Sequence, residues 1–276
     1  MRRALIDVLG STPADAAVRA LTAVHEDRVP LLERAWDSRV TAHLLPALPP
    51  GAACDPDLAT VSRELLGCPV RRLPFLSAWR PPAPGRPACM VAASHSWAAV
   101  AFARAARHDP RPAHLVHIDA HDDFAPPPPG RLPPLRDPAA VAAWVVAGRF
   151  GIGSFIRPFA DAGIVHTVWQ VQRSSLGTPL TRTVTGPGWL DIDLDCLCNA
   201  LDDRNPEPLI GEAELRTRLA AMVDHIRAAF PVRPALVTVA LSPGFFPAAL
   251  WRPALTGLQD LLAQRWPALR LPFTDP

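Results

Sequence analysis

Acidic and imidazole side chains alternate in the stretch HLVHIDAHDDF, residues 114–124. An apolar run predicts a strand that ends near Ile118, and Asp119, His121 and Asp123 follow it at alternate positions. Because alternate residues of an extended chain point to the same side, these carboxylates and the imidazole are expected to share one face. Side chains of these types, held together on one face, indicate a site that holds a cation.

A second acidic cluster lies in GWLDIDLDCL, residues 188–197, where Asp191, Asp193 and Asp195 alternate inside an otherwise apolar strand. Burying ionised carboxylates side by side is costly unless a positive charge lies among them. Pairing with arginine, or solvation at a strand end, remains the alternative for any single aspartate. Two such clusters, both at strand ends, favour a bound metal ion.

His95 directly follows a third apolar strand, ACMVAAS (residues 88–94), and so lies at the same kind of position. A lone histidine there is most simply a polar contact, but next to the other two clusters it becomes a candidate metal ligand. Carboxylate oxygens with a few imidazoles suit manganese, magnesium, zinc or iron. Ligand sites of parallel sheets lie just beyond the carboxyl ends of the strands, where all three clusters are expected.

Near-continuous apolar strands alternate with helices from about residue 88 onward, which indicates a parallel sheet covered on both faces. We predict an α/β fold: a three-layer α/β/α sandwich with a mainly parallel central sheet, in a single domain over residues 1–276. Residues 1–85 are less regular, with helices predicted over 13–36 and 57–66. The predicted strands are 88–94, 113–119, 164–171, 188–194 and 235–242, and the predicted helices are 97–107, 139–150, 212–230 and 254–266.

Composition excludes several classes of chemistry. Every one of the 28 basic residues is arginine, so a P-loop lysine and Schiff-base catalysis are excluded, and the absence of tyrosine excludes a phenol mechanism. The net charge of +2 gives no sign of a nucleic-acid partner. Five cysteines without C-x-x-C spacing, no signal peptide and no long apolar run predict a cytoplasmic protein without a membrane partner. The oligomeric state stays open.

The three clusters resemble the motifs of the arginase–deacetylase superfamily, in its ureohydrolase branch. Residues 119–123, DAHDD, match D-A-H-x-D literally, and residues 189–193, WLDID, match S-x-D-x-D with Trp189 in place of the serine. His95 and Ser96 match the end of G-G-D-H-S. The resemblance covers about residues 88–250 and leaves residues 1–85 unaccounted for. Two further segments, IGSFIRP (residues 152–158) and LSPGF (residues 241–245), resemble those of a divergent group of the superfamily. This group includes peptide arginases, which convert arginine to ornithine in ribosomal peptide precursors.

The resemblance implies an arginase-like fold and two manganese ions. His95, Asp119, Asp123 and Asp191 would hold one ion. His121, Asp119, Asp191 and Asp193 would hold the other, so that Asp119 and Asp191 bridge the pair. Asp123 would also accept a hydrogen bond from the attacking hydroxide that the metals generate.

Two departures from the arginase pattern leave catalytic roles open. Arginases place a general-acid histidine some fifteen residues past D-A-H, where this chain has Arg136; His166 is the nearest downstream candidate, unless it only caps a strand edge. Arginases also bind the guanidinium with a glutamate that lies late in the sheet. The matching segment here, VALSPG (residues 239–244), contains no carboxylate. Asp122, Asp195 and Glu207 are the candidates to replace it.

These expectations predict a binuclear manganese hydrolase of guanidino groups, with an arginine-containing peptide as the substrate and ornithine and urea as the products. One alternative is a metal-dependent deacylase or amidohydrolase of the same fold, which the absence of tyrosine disfavours. The other is an arginase-fold protein that binds metal without turnover.

Overall fold

The computed structural model describes residues 77–127, 129–147, 149–176, 182–199, 207–242, 245–247 and 250–272. The helices predicted over 13–36 and 57–66 lie outside these residues. The strands are β1 (Ser77–Arg80), β2 (Ala88–Ala92), β3 (Ala113–Ile118), β4 (Val165–Val171), β5 (Gly188–Asp193) and β6 (Leu236–Ala240). The helices are α1 (Ala98–His108), α2 (Pro138–Val146), α3 (Ile156–Asp161), α4 (Glu212–Ala229) and α5 (Trp251–Arg265).

The six strands form one sheet in the order β1-β2-β6-β5-β3-β4. β1 pairs antiparallel with β2, and the pairs β2–β6, β6–β5, β5–β3 and β3–β4 are all parallel. Every residue of β2, β5 and β6 is buried, as expected for central strands covered on both faces. The prediction of a mainly parallel sheet is confirmed.

A separate apolar core lies on each face of the sheet. One core packs Phe102 of α1, Val141 of α2 and Phe159 of α3 against the strands. The other packs Leu219 of α4 and Leu258 of α5 against the opposite face. Helices therefore cover both faces, which confirms the predicted three-layer α/β/α sandwich.

Two elements were not predicted, and one helix is shorter than expected. β1 is a half-buried edge strand of four residues, and α3 is a helix of only six, so neither carries a periodic signal. α2 ends at Val146, although the helix was predicted to continue to residue 150. The backbone after it folds back on the helix, since Arg149 N donates to Trp144 O at 2.8 Å. Within the described residues, none of the helices combines the length and apolar character that a membrane crossing requires.

The carboxyl ends of four neighbouring strands place the candidate site at one edge of the sheet. Asp193 is paired with Ala240 at the ends of β5 and β6. The pairing of β6 with β2 continues one step further, since Ser242 N donates to Ala93 O at 3.0 Å. The sheet order therefore brings the chain segments after β2, β6, β5 and β3 next to one another, which is where the three sequence clusters lie.

Candidate metal centre

His95 lies at the centre of the site, in a single 3-10 turn (His95–Trp97) that follows β2. Its ring is buried against Phe155, with ring centroids 4.8 Å apart. Its Nδ1 atom lies 2.8 Å from Asp123 Oδ2, 3.1 Å from Asp193 Oδ2 and 3.2 Å from Asp119 Oδ2. One ring nitrogen carries at most one proton, so it cannot satisfy three carboxylates that converge on it.

Asp119 is shared between two groups of potential ligands. Its Oδ2 atom faces the ring nitrogens of His95 and His117, and these three buried residues form one group. Its Oδ1 atom lies 3.3 Å from His121 Nδ1, and Asp119, His121 and Asp195 form the second group. A carboxylate whose two oxygens face two ligand groups is suited to bridge a pair of metal ions.

The first group contains atoms that no hydrogen bond satisfies. His95 Nδ1, His117 Nε2 and Asp119 Oδ2 are buried and have no hydrogen-bond partner among the described residues. His117 Nε2 nevertheless lies 3.4 Å from Asp119 Oδ2. Leaving buried polar atoms unpaired costs about 1–3 kcal/mol each, so their convergence needs an explanation. A divalent cation accepts all three lone pairs at once, and the donor set fits a carboxylate-rich metal site.

Asp191 lies deeper than the other acidic residues and is fully buried. Strand register places it opposite His117 of β3 and opposite Thr238 of β6. Its Oδ2 atom lies 2.9 Å from His117 Nδ1 and 3.0 Å from His95 Nε2, and its Oδ1 atom accepts a hydrogen bond from the Thr238 hydroxyl. Each histidine therefore turns one ring nitrogen to Asp191 and the other toward Asp119.

Asp195 belongs to the second ligand group, in a 3-10 turn (Leu194–Cys196) that continues β5. Its Oδ2 atom lies 3.1 Å from His121 Nδ1, and its Oδ1 atom accepts a hydrogen bond of 3.2 Å from Ala120 N. The side chain of His121 is 40% exposed while that of Asp195 is 2% exposed, so this group lies at the open side of the site.

Two non-glycine residues of the site adopt left-handed backbone conformations. Asp123 has φ 48° and Ser242 has φ 45°, values that cost conformational energy in residues with a Cβ atom. Ser242 donates a hydrogen bond of 2.5 Å from its hydroxyl to Asp193 Oδ2, and Asp193 Oδ1 accepts from Asp195 N at 3.0 Å. The backbone after β6 thus turns the Ser242 hydroxyl onto a carboxylate of the site.

The pKa values reflect the crowding of carboxylates. Burial and the charge of Asp119 raise the pKa of Asp123 to about 7. Burial and the neighbouring Asp193 raise the pKa of Asp195 well above its ordinary value. Hydrogen bonds to Asp119 and Asp195 raise the pKa of His121 to about 12. A divalent cation at this place would favour the ionised carboxylates and neutral imidazoles instead.

The structure brings together all six residues predicted to bind metal, and it adds Asp195. Asp122, by contrast, is exposed next to the cluster, and its carbonyl accepts a hydrogen bond of 2.7 Å from Gln170. His166 lies at the amino end of β4, with its ring 5.9 Å from that of His114. His114 is five residues before Asp119 on β3, about 16 Å at 3.3 Å per residue, so the structure does not bring His166 to the metal ligands.

The position where arginases carry their general acid has a structural role here. Arg136 donates from Nη1 to Ala106 O at 2.5 Å and from Nη2 to Pro110 O at 3.1 Å. Its guanidinium therefore binds backbone carbonyls at the end of α1 and does not enter the acidic cluster.

A cavity of about 270 Å³ adjoins the second ligand group. Glu207 faces this cavity and forms ion pairs with Arg173 and, at 3.7 Å, with Arg218. Arg173 also donates from Nε to Cys196 O at 2.7 Å and from Nη2 to Asp195 O at 3.1 Å. The cavity is lined by Ala120, His121, Gln172, Arg173, Ser174, Asn199 and Glu207.

Three residues that the geometry brings to the site are not among the ligands predicted from the sequence. His117 precedes Asp119 by two positions, and this period-2 spacing places it on the same face. Thr238 and Ser242 belong to β6 and the segment after it, and no sequence pattern marks them. Only the pairing of β6 with β5 and β2 places them beside Asp191 and Asp193.

Comparison with known proteins gives matches only among solved structures. No protein-family model and no curated protein matches the chain. Proclavaminate amidino hydrolase from Streptomyces clavuligerus matches with a TM-score of 0.40 and 17% identity, over 65% of this chain and 64% of that chain. A hypothetical agmatinase from Burkholderia thailandensis matches with a TM-score of 0.38 and 14% identity, over 63% and 59%. The match thus spans less than two thirds of either structure.

Proposed function

We propose that this chain is a metal-dependent hydrolase of guanidino groups. It holds two divalent ions, preferably manganese, at the carboxyl edge of its sheet, and converts arginine residues of a peptide to ornithine with release of urea. The observation that carries this proposal is the sharing of Asp119 between two groups of potential ligands, one of which contains three unsatisfied buried atoms. The literal D-A-H-x-D motif, in which Asp119 is the first residue, supports the same reading.

The residues of the cluster fit the hydrolysis of a guanidinium. A pair of divalent ions, when bound, lowers the pKa of a water molecule so that hydroxide forms near neutral pH. Asp123, whose Oδ2 atom faces the centre of the cluster, would accept a hydrogen bond from this nucleophile. His121 lies between the cluster and the cavity, so a guanidinium carbon that enters the cavity comes next to the ligand groups.

Glu207 is the candidate that best fits recognition of the guanidinium. Asp195 belongs to the ligand cluster and Asp122 is exposed, whereas the Glu207 carboxylate faces the cavity. Its Oε1 atom pairs with the guanidinium of Arg173, so a substrate guanidinium would share this carboxylate with Arg173. A Glu207→Gln variant is expected to raise KM for the guanidino substrate more than it lowers kcat.

The cavity lining favours an arginine residue inside a peptide over free arginine. Free arginine carries an α-carboxylate, which a site would meet with a cation. Among the described residues of the lining, His121 belongs to the second ligand group, and Arg173 already binds Glu207 and two backbone carbonyls. Gln172, Ser174 and Asn199 supply hydrogen-bonding groups that suit peptide amides. Binding energy from the remote parts of a peptide would then support the reaction.

The test is incubation of the manganese-loaded protein with an arginine-containing peptide, free arginine and agmatine in parallel. Mass spectrometry should show the mass difference between an arginine and an ornithine residue in the peptide, and urea should appear in equal amount. Hydrolysis of free arginine or agmatine with the peptide unchanged would contradict the peptide assignment. Absence of urea from all three, with metal bound, would indicate a metal-binding protein without this activity.

A further inference from the structure

The carboxylates of β5 differ in what already occupies their oxygens. Both oxygens of Asp191 are engaged, by His95 and His117 on one oxygen and by the Thr238 hydroxyl on the other. These partners come from β3, β6 and the turn after β2, and none of them is exposed. Both lone pairs of Asp191 Oδ2 are taken by imidazoles, so a metal ion at this oxygen would displace His95 or His117. The oxygens of Asp193 accept instead from the Ser242 hydroxyl and the Asp195 amide, one donor each.

The contacts of Asp191 determine which ring nitrogens face the site. A carboxylate accepts hydrogen bonds, so His95 donates to it from Nε2 and His117 donates from Nδ1. When the rings are neutral, as metal ligands must be, the lone pairs lie on the other nitrogens, His95 Nδ1 and His117 Nε2, which are the unsatisfied atoms that face Asp119. A carboxylate behind a metal-binding histidine fixes the tautomer and the ring orientation in this way.

Asp195 lies in the second ligand group, with Asp119 and His121. It is two residues beyond Asp193, and its Oδ2 atom approaches His121 Nδ1 at 3.1 Å. Its other oxygen is held by the amide of Ala120, inside the D-A-H motif itself. The side chain is therefore fixed in the group that also contains Asp119 and His121, next to the cavity.

We infer that the metal-binding carboxylates of β5 are Asp193 and Asp195, and that Asp191 is a positioning residue that orients His95 and His117 as ligands. This inference rests on the proposed function for the presence of the metal pair. It shifts the β5 ligands two residues along the chain from the assignment that the S-x-D-x-D resemblance implies. It also adds His117 to the ligands of the buried group.

The inference is tested by removing one charge at a time with isosteric variants, Asp191→Asn and Asp195→Asn. Metal-free protein is titrated with Mn²⁺, the bound metal is counted, and electron paramagnetic resonance shows whether two bound ions are magnetically coupled. Asp195→Asn is expected to lose one ion and the coupling. Asp191→Asn is expected to keep two coupled ions with affinity about 10–100-fold weaker, the usual effect of losing a partner behind a ligand.

A second readout concerns the histidine rings directly. In protein loaded with diamagnetic Zn²⁺, where ligating imidazoles are neutral, ¹⁵N chemical shifts show which ring nitrogen carries the proton. Asp191→Asn should alter the tautomers of His95 and His117, while Asp195→Asn should leave them unchanged. Thr238→Val, which removes the hydroxyl bound to Asp191 but no charge, is the milder variant if Asp191→Asn does not fold, and it should also keep two ions.

The outcomes separate this inference from the proposed function. Two ions retained in Asp195→Asn, or one lost in Asp191→Asn or Thr238→Val, would overturn the inference while leaving a metal hydrolase intact. If the variants keep and lose ions as expected but the wild-type protein releases no urea, only the proposed function is overturned. A wild-type protein that binds no metal would overturn both.

Discussion

At the scale of single residues, Asp119 links the two halves of the site. Its Oδ2 atom faces the buried histidines and its Oδ1 atom faces His121, from which it also accepts a backbone hydrogen bond of 2.8 Å. The side chain is 1% exposed, so water does not solvate its charge. Both groups of ligands therefore depend on this one carboxylate.

Replacement of Asp119 should abolish binding at both groups. We expect Asp119→Ala purified without chelator to contain almost no metal, whereas the wild-type protein contains about two equivalents. Asp122→Ala is the matched control, because Asp122 is in the same segment but exposed and outside the cluster. Metal analysis of the two variants decides the question, and retention of both ions in Asp119→Ala would refute the shared role.

Ser242 supports the site through both its hydroxyl and its backbone. Ser242→Ala removes the hydrogen bond to Asp193 and keeps a side chain at φ 45°, while Ser242→Gly removes the same bond but relieves the backbone. Both variants should bind Mn²⁺ more weakly than wild type. The glycine variant should be more stable to unfolding than the alanine variant by about 1 kcal/mol. Equal metal affinity in all three proteins, measured by calorimetry, would show that the hydroxyl does not position Asp193.

The residue types of the site were predictable, but their exact partners were not. Period-2 spacing and the cost of buried carboxylates marked two acidic clusters of the sequence as a candidate cation site. The resemblance to ureohydrolase motifs then implied the ligands His95, Asp119, His121, Asp123, Asp191 and Asp193. The depth of Asp191, and its contacts with His117 and Thr238, depend on which residues of β3 and β6 lie opposite it. Register of this kind is set by long-range pairing, and one sequence does not contain it.

At the scale of elements, β5 carries the site because its neighbours on both sides are parallel strands that end at the same edge. Strand and helix positions from β2 to α5 follow from apolar periodicity, so most of the sheet was predicted. The order of the strands was not, because apolar runs of similar composition do not specify their neighbours. The edge strand β1 and the short helix α3 were missed because each is shorter than its pattern needs.

Gly188, the first residue of β5, packs closely against the core, so a larger residue there should displace the strand. A Cβ atom at this position would lie 2.5 Å from Phe230 Cε1 and 2.8 Å from Val184 Cγ1, both in the packed core. Gly188→Ala should therefore lower the free energy of unfolding by about 1–3 kcal/mol. By displacing the start of the strand, it should also weaken metal binding. Gly211→Ala is the control, since no atom lies within 4 Å of the added Cβ.

For Gly211→Ala the expected decrease in the free energy of unfolding is below about 1 kcal/mol, because alanine is a less favourable N-cap of α4 than glycine. Denaturant unfolding of both variants measures the difference. A Gly188→Ala protein as stable as Gly211→Ala would mean that the core around Phe230 adapts without moving β5.

At the scale of the whole molecule, we expect metal binding at the candidate site to stabilise the fold. The cluster gathers buried carboxylates that repel one another, and ions that bind only the folded state stabilise it by mass action. With free metal at 100 times its Kd, a single site contributes about 2.7 kcal/mol. Chelation should therefore lower the melting temperature of the wild-type protein.

Two variants serve as references for this effect. Asp119→Ala should show no dependence on chelator, because it holds no metal to lose. Asp193→Asn should melt at a higher temperature than the metal-free wild type, since one of the repelling charges is gone. A wild-type melting curve that does not change when the metal is shown to be removed would be inconsistent with a buried site.

The central claim is that two metal ions at this edge of the sheet hydrolyse a guanidino group. The most direct measurement is the rate of urea release from an arginine-containing peptide as Mn²⁺ is added stepwise to metal-free protein. We expect no urea without metal and a rate of urea release that rises until about two equivalents are bound per chain. Urea release that does not depend on metal, or its absence when both equivalents are bound, would contradict the account.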